Sequence, residues 1–218
     1  MKGTNPIRPP IHGDGLRLAV KSIFPTLQGE GPHAGVPAVF VRLGGCNLAC
    51  DFCDTDFENF ADMELAAITM EVKKQAGALF RLAVITGGEP LRQNIAPLCE
   101  ALIAEGFTVQ IETNGTLYRP LPDAVQIVCS PKNTGQGYPP IREDLLERIT
   151  ALKYIISDSH PHYRDVPEAP SPHIPVYVQP MDEYDAQKNA ANLARATQLA
   201  MAHGLRLSLQ LHKIAGIP

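Results

Sequence analysis

Short apolar runs separated by longer stretches of helical spacing organise the chain. Residues 16–24 alternate apolar and polar positions, the pattern of a strand with one solvated face. Residues 38–43 (AVFVRL), 82–86 (LAVIT), 107–112 (FTVQIE), 125–130 (VQIVCS), 152–157 (LKYIIS) and 175–179 (PVYVQ) are richer in apolar and β-branched residues. Runs of that kind suit parallel strands covered on both faces. Residues 205–211 (LRLSLQL) alternate again and predict an edge strand. Helical spacing covers 63–79 and 95–105, the second stopped by Gly106. A shorter helix is predicted over 142–149, and a long alanine-rich one over 184–203 ends at Gly204.

Strand–helix alternation implies βαβ units with right-handed crossovers. The chain has 218 residues, whereas a closed eightfold barrel takes about 250, which leaves room for about six such strands. Residues 130–140 and 157–175 are Pro-, Gly- and His-rich links with no helical pattern. The predicted architecture is an α/β fold, an incomplete TIM-like β/α barrel forming one domain over residues 1–218. Residues 1–15, with three prolines in the first ten, read as a loose amino-terminal arm.

Composition narrows the function classes. Charged residues make up 19% and hydrophobic ones 44%, an ordinary globular balance. A net charge of −4 gives no electrostatic basis for direct nucleic-acid binding. No run reaches the roughly eighteen apolar residues of a membrane span, and the amino terminus lacks a secretory-signal pattern, so a cytoplasmic protein is expected. Of the five cysteines, Cys46, Cys50 and Cys53 fall within eight residues, a poor disulfide framework and a better metal site. Cys99 and Cys129 lie in apolar elements and read as small core residues.

The cysteine segment, RLGGCNLACDFCDTDF, directly follows a predicted strand and so lies at the carboxyl end of the sheet, where such folds place their sites. The spacing C-x3-C-x2-C brings three thiolates around one cubane and leaves the fourth iron open, as a catalytic metal requires. Gly44 and Gly45 free the backbone to wrap close. A structural zinc site or buried free thiols are the alternatives, although zinc loops supply two close ligand pairs and His33 is the only nearby histidine.

This loop, followed by Gly87-Gly88-Glu89-Pro90 after a later strand, resembles the radical S-adenosylmethionine (SAM) superfamily. Phe24 to Gly31 (FPTLQGEG), Cys53-Asp54-Thr55, Glu112-Thr113-Asn114-Gly115, Ser130-Pro131-Lys132, Gln179-Pro180-Met181-Asp182, His212-Lys213 and Gly216-Ile217-Pro218 extend the likeness over nearly the whole chain. In that order they are similar to the 7-carboxy-7-deazaguanine synthase family. The resemblance implies a [4Fe-4S] cluster, SAM and Mg2+ as cofactors. It also implies a lyase that contracts 6-carboxy-5,6,7,8-tetrahydropterin to 7-carboxy-7-deazaguanine with loss of ammonia, feeding queuosine and related deazapurines. Its partners are implied to be the pterin, an external one-electron reductant such as a flavodoxin, and a second copy in a homodimer.

The resemblance also assigns roles. Leu27, Gln28 and Gly29 form the pterin-contacting turn, with Glu30 an added acceptor for guanine-like N–H groups. Arg42, four residues before the first cysteine, suits the substrate carboxylate because a guanidinium fork matches carboxylate geometry; a salt bridge closing the barrel mouth is its bland reading. Thr86 is the matching hydroxyl, and Thr55 an unusual magnesium ligand. SAM is met by Phe52, Cys53, Asp54, Gly88, Ser130, Pro131, Lys132, Gln179, Pro180, Met181 and Asp182. Pro218, helped by His212, reaches the substrate. Taken singly, QGEG, SPK and QPMD are ordinary polar or Pro-containing turns, DTD a cap and the tail a packed end. Ala49 and Asp51 depart from the residue types familiar between these cysteines, at positions that ligate no iron. A glycyl-radical activating enzyme shares the cysteine loop and GGEP, and a non-catalytic iron-sulfur or zinc protein shares the cysteines alone.

Overall fold

The computed structural model describes residues 5–218. A single nine-stranded sheet runs through it, made of β1 (Arg17–Leu27), β2 (Pro37–Leu43), β3 (Ala61–Glu64), β4 (Leu82–Gly87), β5 (Thr108–Thr113), β6 (Gln126–Cys129), β7 (Ile149–Ile156), β8 (Val176–Pro180) and β9 (Arg206–Leu207). Its spatial order is β3-β1-β2-β4-β5-β6-β7-β8-β9. From β2 through β9 the neighbours are parallel, while β1 pairs antiparallel with both β2 and β3. Strands at the two ends do not meet among the described residues, so the barrel is incomplete.

Helices α1 (Leu65–Ala76), α2 (Ala96–Ala104), α3 (Glu143–Leu146), α4 (Ala186–His203) and α5 (Leu211–Ala215) complete the chain. α4 starts where the Asp185 carboxylate accepts from the N–H groups of Gln187 and Lys188, and stops at Gly204, whose φ of 64° is left-handed. Ile68 and Val72 of α1, Leu98 and Leu102 of α2, and Leu199 of α4 pack on the outward-facing residues of the strands. Those include Val39, Val41 and Leu43 of β2, Ala83 and Ile85 of β4, and Val109 and Ile111 of β5. Burying side chains of this size against helices stabilises each by about 1.5–3 kcal/mol.

The alternate residues face inward, and near the amino ends of the strands they are small or apolar: Ala38, Leu82, Val84, Val128, Ala151 and Tyr177. Toward the carboxyl ends the same face turns polar, as Arg42, Thr86, Glu112, Ser130, Lys153 and Gln179. Strand periodicity of two thus builds a wet mouth on a dry floor.

Several expectations change. Residues 16–24 do form a strand, but it runs to Leu27 and is antiparallel to β2, with Phe24 opposite Phe40. β3 was unannounced because ADME has no apolar run. The predicted 142–149 helix is one turn, because Ile149 already belongs to β7. Of 205–211 only Arg206–Leu207 is strand, and Leu211 opens α5. The amino-terminal arm is not loose from residue 5 onward. Ile7 bridges Cys46 in parallel, Arg8 N–H donates to Cys46 O at 2.7 Å, and Ile11 N–H donates to Arg92 O at 2.7 Å. Residues 1–4 of that arm lie outside the described residues.

Candidate active site

The cysteine loop leaves β2 and folds back over the polar mouth. Cys46, Cys50 and Cys53 are all free thiols, and all line one cavity with Arg42, Thr86 and Gly88. Burial pushes each thiol up, Cys46 to about 11. Among the described residues no three His, Cys, Asp or Glu side chains gather around a point that one ion would occupy. A multi-iron cluster takes its ligands further apart, so three thiols around one cavity fit it better than a mononuclear zinc.

Three elements hold the loop. On the outside, Asn5 Nδ2 donates to Thr55 O at 2.9 Å and Arg8 forks onto Glu58 at 3.0 and 2.5 Å. Beneath it, Arg92 Nη2 donates to Gly44 O at 2.9 Å. From β4, Glu89 N–H donates to Gly45 O at 3.1 Å. A Cβ on Gly88 would overlap Gly45 O and Cys46 N, so glycine is required for the two loops to touch. The Glu89 side chain faces away from the cavity and does not touch it.

Most predicted site residues converge. Leu27, Gln28, Glu30, Arg42, Phe52, Cys53, Asp54, Thr55, Thr86 and Gly88 line the cavity. Ser130, Lys132, Gln179, Pro180, Met181, Asp182, His212 and Pro218 line it as well. Gly29 and Pro131 do not. Gly29 supports the wall from behind, since a Cβ there would overlap the His212 ring. Pro131 is buried beneath its loop. Pro218 is held by Thr26, whose hydroxyl donates to its carbonyl oxygen.

Two cations in the mouth lack anionic partners among the described residues. Arg42 lies 5.5 Å from the Phe24 ring centroid, and among the described residues it forms no ion pair and donates no hydrogen bond. Burial lowers its pKa, against the pull of Asp54 and Glu112. Among the described residues Lys132 Nζ donates only to Ser130 O and Oγ, at 2.6 and 2.7 Å, and burial lowers its pKa as well. A desolvated, unpaired cation is costly and marks a place for an anion.

The same mouth holds a group missed in the sequence reading. Lys153 is buried between Glu30, which accepts from it directly, and Glu112 at 3.6 Å. Gln28 Nε2 donates to Glu112 Oε1 and Gln210 Nε2 to Glu30 Oε1, each at 2.9 Å. Two carboxylates share one ammonium, so the wall carries one excess negative charge. The signal was present: a lysine inside LKYIIS, at the inward parity of a buried strand, must have partners.

Residues 40–130 match the model of the Radical SAM superfamily. The fold, an incomplete barrel with a three-cysteine loop after a parallel strand, defines the same class: a radical SAM protein. Over its whole length the chain is 51% identical to the 7-carboxy-7-deazaguanine synthase of Rickettsia prowazekii (strain Madrid E), covering 96% of that protein. It is 42% identical to that of Rhodospirillum rubrum, with both sequences covered in full. The solved structure of QueE from Escherichia coli superposes with a TM-score of 0.69 at 26% identity, over 89% of this chain and 94% of that one. The chain belongs to the 7-carboxy-7-deazaguanine synthase family.

Proposed function

We propose that this chain is a 7-carboxy-7-deazaguanine synthase, a lyase converting 6-carboxy-5,6,7,8-tetrahydropterin to 7-carboxy-7-deazaguanine and ammonia. The observation that carries the reading is the pairing, in one cavity, of three free cysteines with an unpartnered Arg42. The cluster and SAM supply one-electron cleavage that delivers a hydrogen-abstracting radical. Cys46, Cys50 and Cys53 would hold the cluster. Lys132 would offset the carboxylate of SAM, with Ser130, Gly88, Phe52, Asp54 and residues 179–182 around the nucleoside and methionine.

The protein's part is to bind, orient and exclude water. Arg42 binds the substrate carboxylate through two parallel N–H bonds, and Thr86, its neighbour across the β2–β4 pair, adds a hydroxyl. Gln28, Glu30 and the excess charge of the Glu30–Lys153–Glu112 group accept from the N–H edge of the aminopyrimidinone. Leu27, His212 and Pro218 close that end. Thr55, whose hydroxyl donates to Asp54 Oδ1 at 3.2 Å, would offer one oxygen to Mg2+, a cation that prefers oxygen donors. An external one-electron reductant, homodimer assembly, a single domain and a cytoplasmic location belong to the same reading. No helix among the described residues is long and apolar enough to cross a membrane.

Anaerobic reconstitution with iron and sulfide, followed by incubation with SAM, dithionite and the tetrahydropterin, tests it. The expected result is 7-carboxy-7-deazaguanine with SAM unconsumed. Consumption of SAM with the pterin untouched would support a glycyl-radical activating enzyme instead, and a colourless zinc-loaded protein would remove the radical reading altogether.

A further inference from the structure

The carboxy-terminal segment touches both halves of the cavity. On the substrate side, Leu211 N–H donates to Gly29 O at 3.1 Å, Gln210 reaches Glu30, and Thr26 holds Pro218. On the opposite side, Lys213 Nζ donates to Asp54 Oδ2 at 2.7 Å and to Asp182 Oδ2 at 2.8 Å. The ammonium also stands 5.6 Å from the Tyr184 ring centroid. Asp54 follows the third cysteine and Asp182 follows β8, so one ammonium gathers carboxylates from two separate loops.

α5 is five residues long and buries none of its side chains. Ile214 is 72% exposed. Without an apolar anchor, the segment keeps its place through the polar contacts at its two ends. Between them the backbone is one hydrogen-bonded unit. Gly216 N–H donates to Lys213 O at 3.3 Å and Ile217 N–H to His212 O at 3.0 Å. Whatever fixes Lys213 therefore fixes His212 and Pro218.

We infer that Lys213 is a positioning residue that couples the two ligand sites: order at Asp54 and Asp182 is transmitted through α5 to the residues facing the pterin. The inference rests on the functional reading above, which puts SAM at Asp54 and Asp182 and substrate at Pro218. Coupling of this kind is reciprocal, so each ligand tightens the other by one factor. Lys213 is not required to touch either ligand.

The test uses the full chain, reconstituted without oxygen, with SAM and 7-carboxy-7-deazaguanine as the two probes. Affinities are measured calorimetrically for each alone and in the presence of the other. The wild type is expected to show a reciprocal gain of about fivefold or more. Lys213→Met is expected to bind both probes with the gain reduced to near one. Lys213→Arg, whose guanidinium can span the same carboxylates, is expected to keep part of it. Hydrogen exchange over residues 208–218 provides a second readout: SAM alone should slow it in the wild type and not in Lys213→Met. An unchanged gain in Lys213→Met, or no gain in a wild type that binds both probes, overturns the inference. A reconstituted wild type that binds neither probe overturns the functional reading instead.

Discussion

The Glu89 carboxylate accepts from the Asn114 N–H at 2.7 Å, and this bond joins the turn after β4 to the turn after β5. Its other oxygen accepts from Leu91 N–H at 2.9 Å and from the Thr113 hydroxyl at 2.8 Å. Asn114 in turn donates through Nδ2 to Asn47 Oδ1 at 2.9 Å, inside the cysteine loop. The acidic residue of GGEP therefore does architectural work, while Gly87 and Gly88 of that motif line the cavity.

Glu89→Gln places an NH2 group against donors on one side or the other. An unsatisfied buried group costs about 1–3 kcal/mol, which for a chain of this size is roughly 2–12 °C in Tm. Burial raises the Glu89 pKa above 4.5, so its contribution is present at acid pH and declines as pH rises through the folded value. Melting curves should show the gap between the two proteins narrowing as pH increases.

Lys153→Met strands Glu30 and Glu112 without their cation, a loss of about 3–5 kcal/mol. Burial alone would raise Glu30, but the Lys153 ammonium outweighs it and the net shift is below 4.5. Its contribution is therefore present above pH 4.5 and lost as pH falls through the folded value. Lys153 is raised above 10.5, so its contribution holds below that pH and is lost above it. Denaturant midpoints should be displaced downward in the variant throughout the window between these limits.

Cys46→Ala should abolish bound iron and sulfide after anaerobic reconstitution, and Cys50→Ala and Cys53→Ala should do the same. Cys99→Ala should keep both, with a small loss of Tm from the cavity left in the core. Iron assays on the four purified variants decide this; retention in Cys46→Ala would break the assignment.

Arg42→Lys keeps the charge but loses the fork. A charge-assisted bond of about 1.5–3 kcal/mol corresponds to a ten- to hundredfold fall in kcat/KM for the pterin. SAM affinity, measured separately, should stay near the wild-type value.

Much of the parallel sheet was legible because its strands are buried on both faces. AVFVRL and LAVIT can hardly be anything else, and Gly106 and Gly204 stand where helices stop. Arg42, Thr86, Ser130 and Gln179 were found at strand ends for the same reason. β1 was recognised without its direction, since alternation reports a buried face and is silent about which neighbour pairs with it. Lys153 was passed over as part of an apolar run. The prolines of the arm look like disorder, and no local pattern announces that Ile7 and Arg8 meet the backbone of Cys46, far along the chain.

What the sequence determined by itself is local: periodicity, stops, and a cysteine spacing that one small loop can satisfy. Tertiary structure alone decided which carboxylates share Lys153, which loops Lys213 ties together, and that Glu89 faces Asn114 rather than the cavity. Those are matters of distance between elements far apart in the chain, and charges find their partners only once packing has removed water and brought the elements within hydrogen-bond reach.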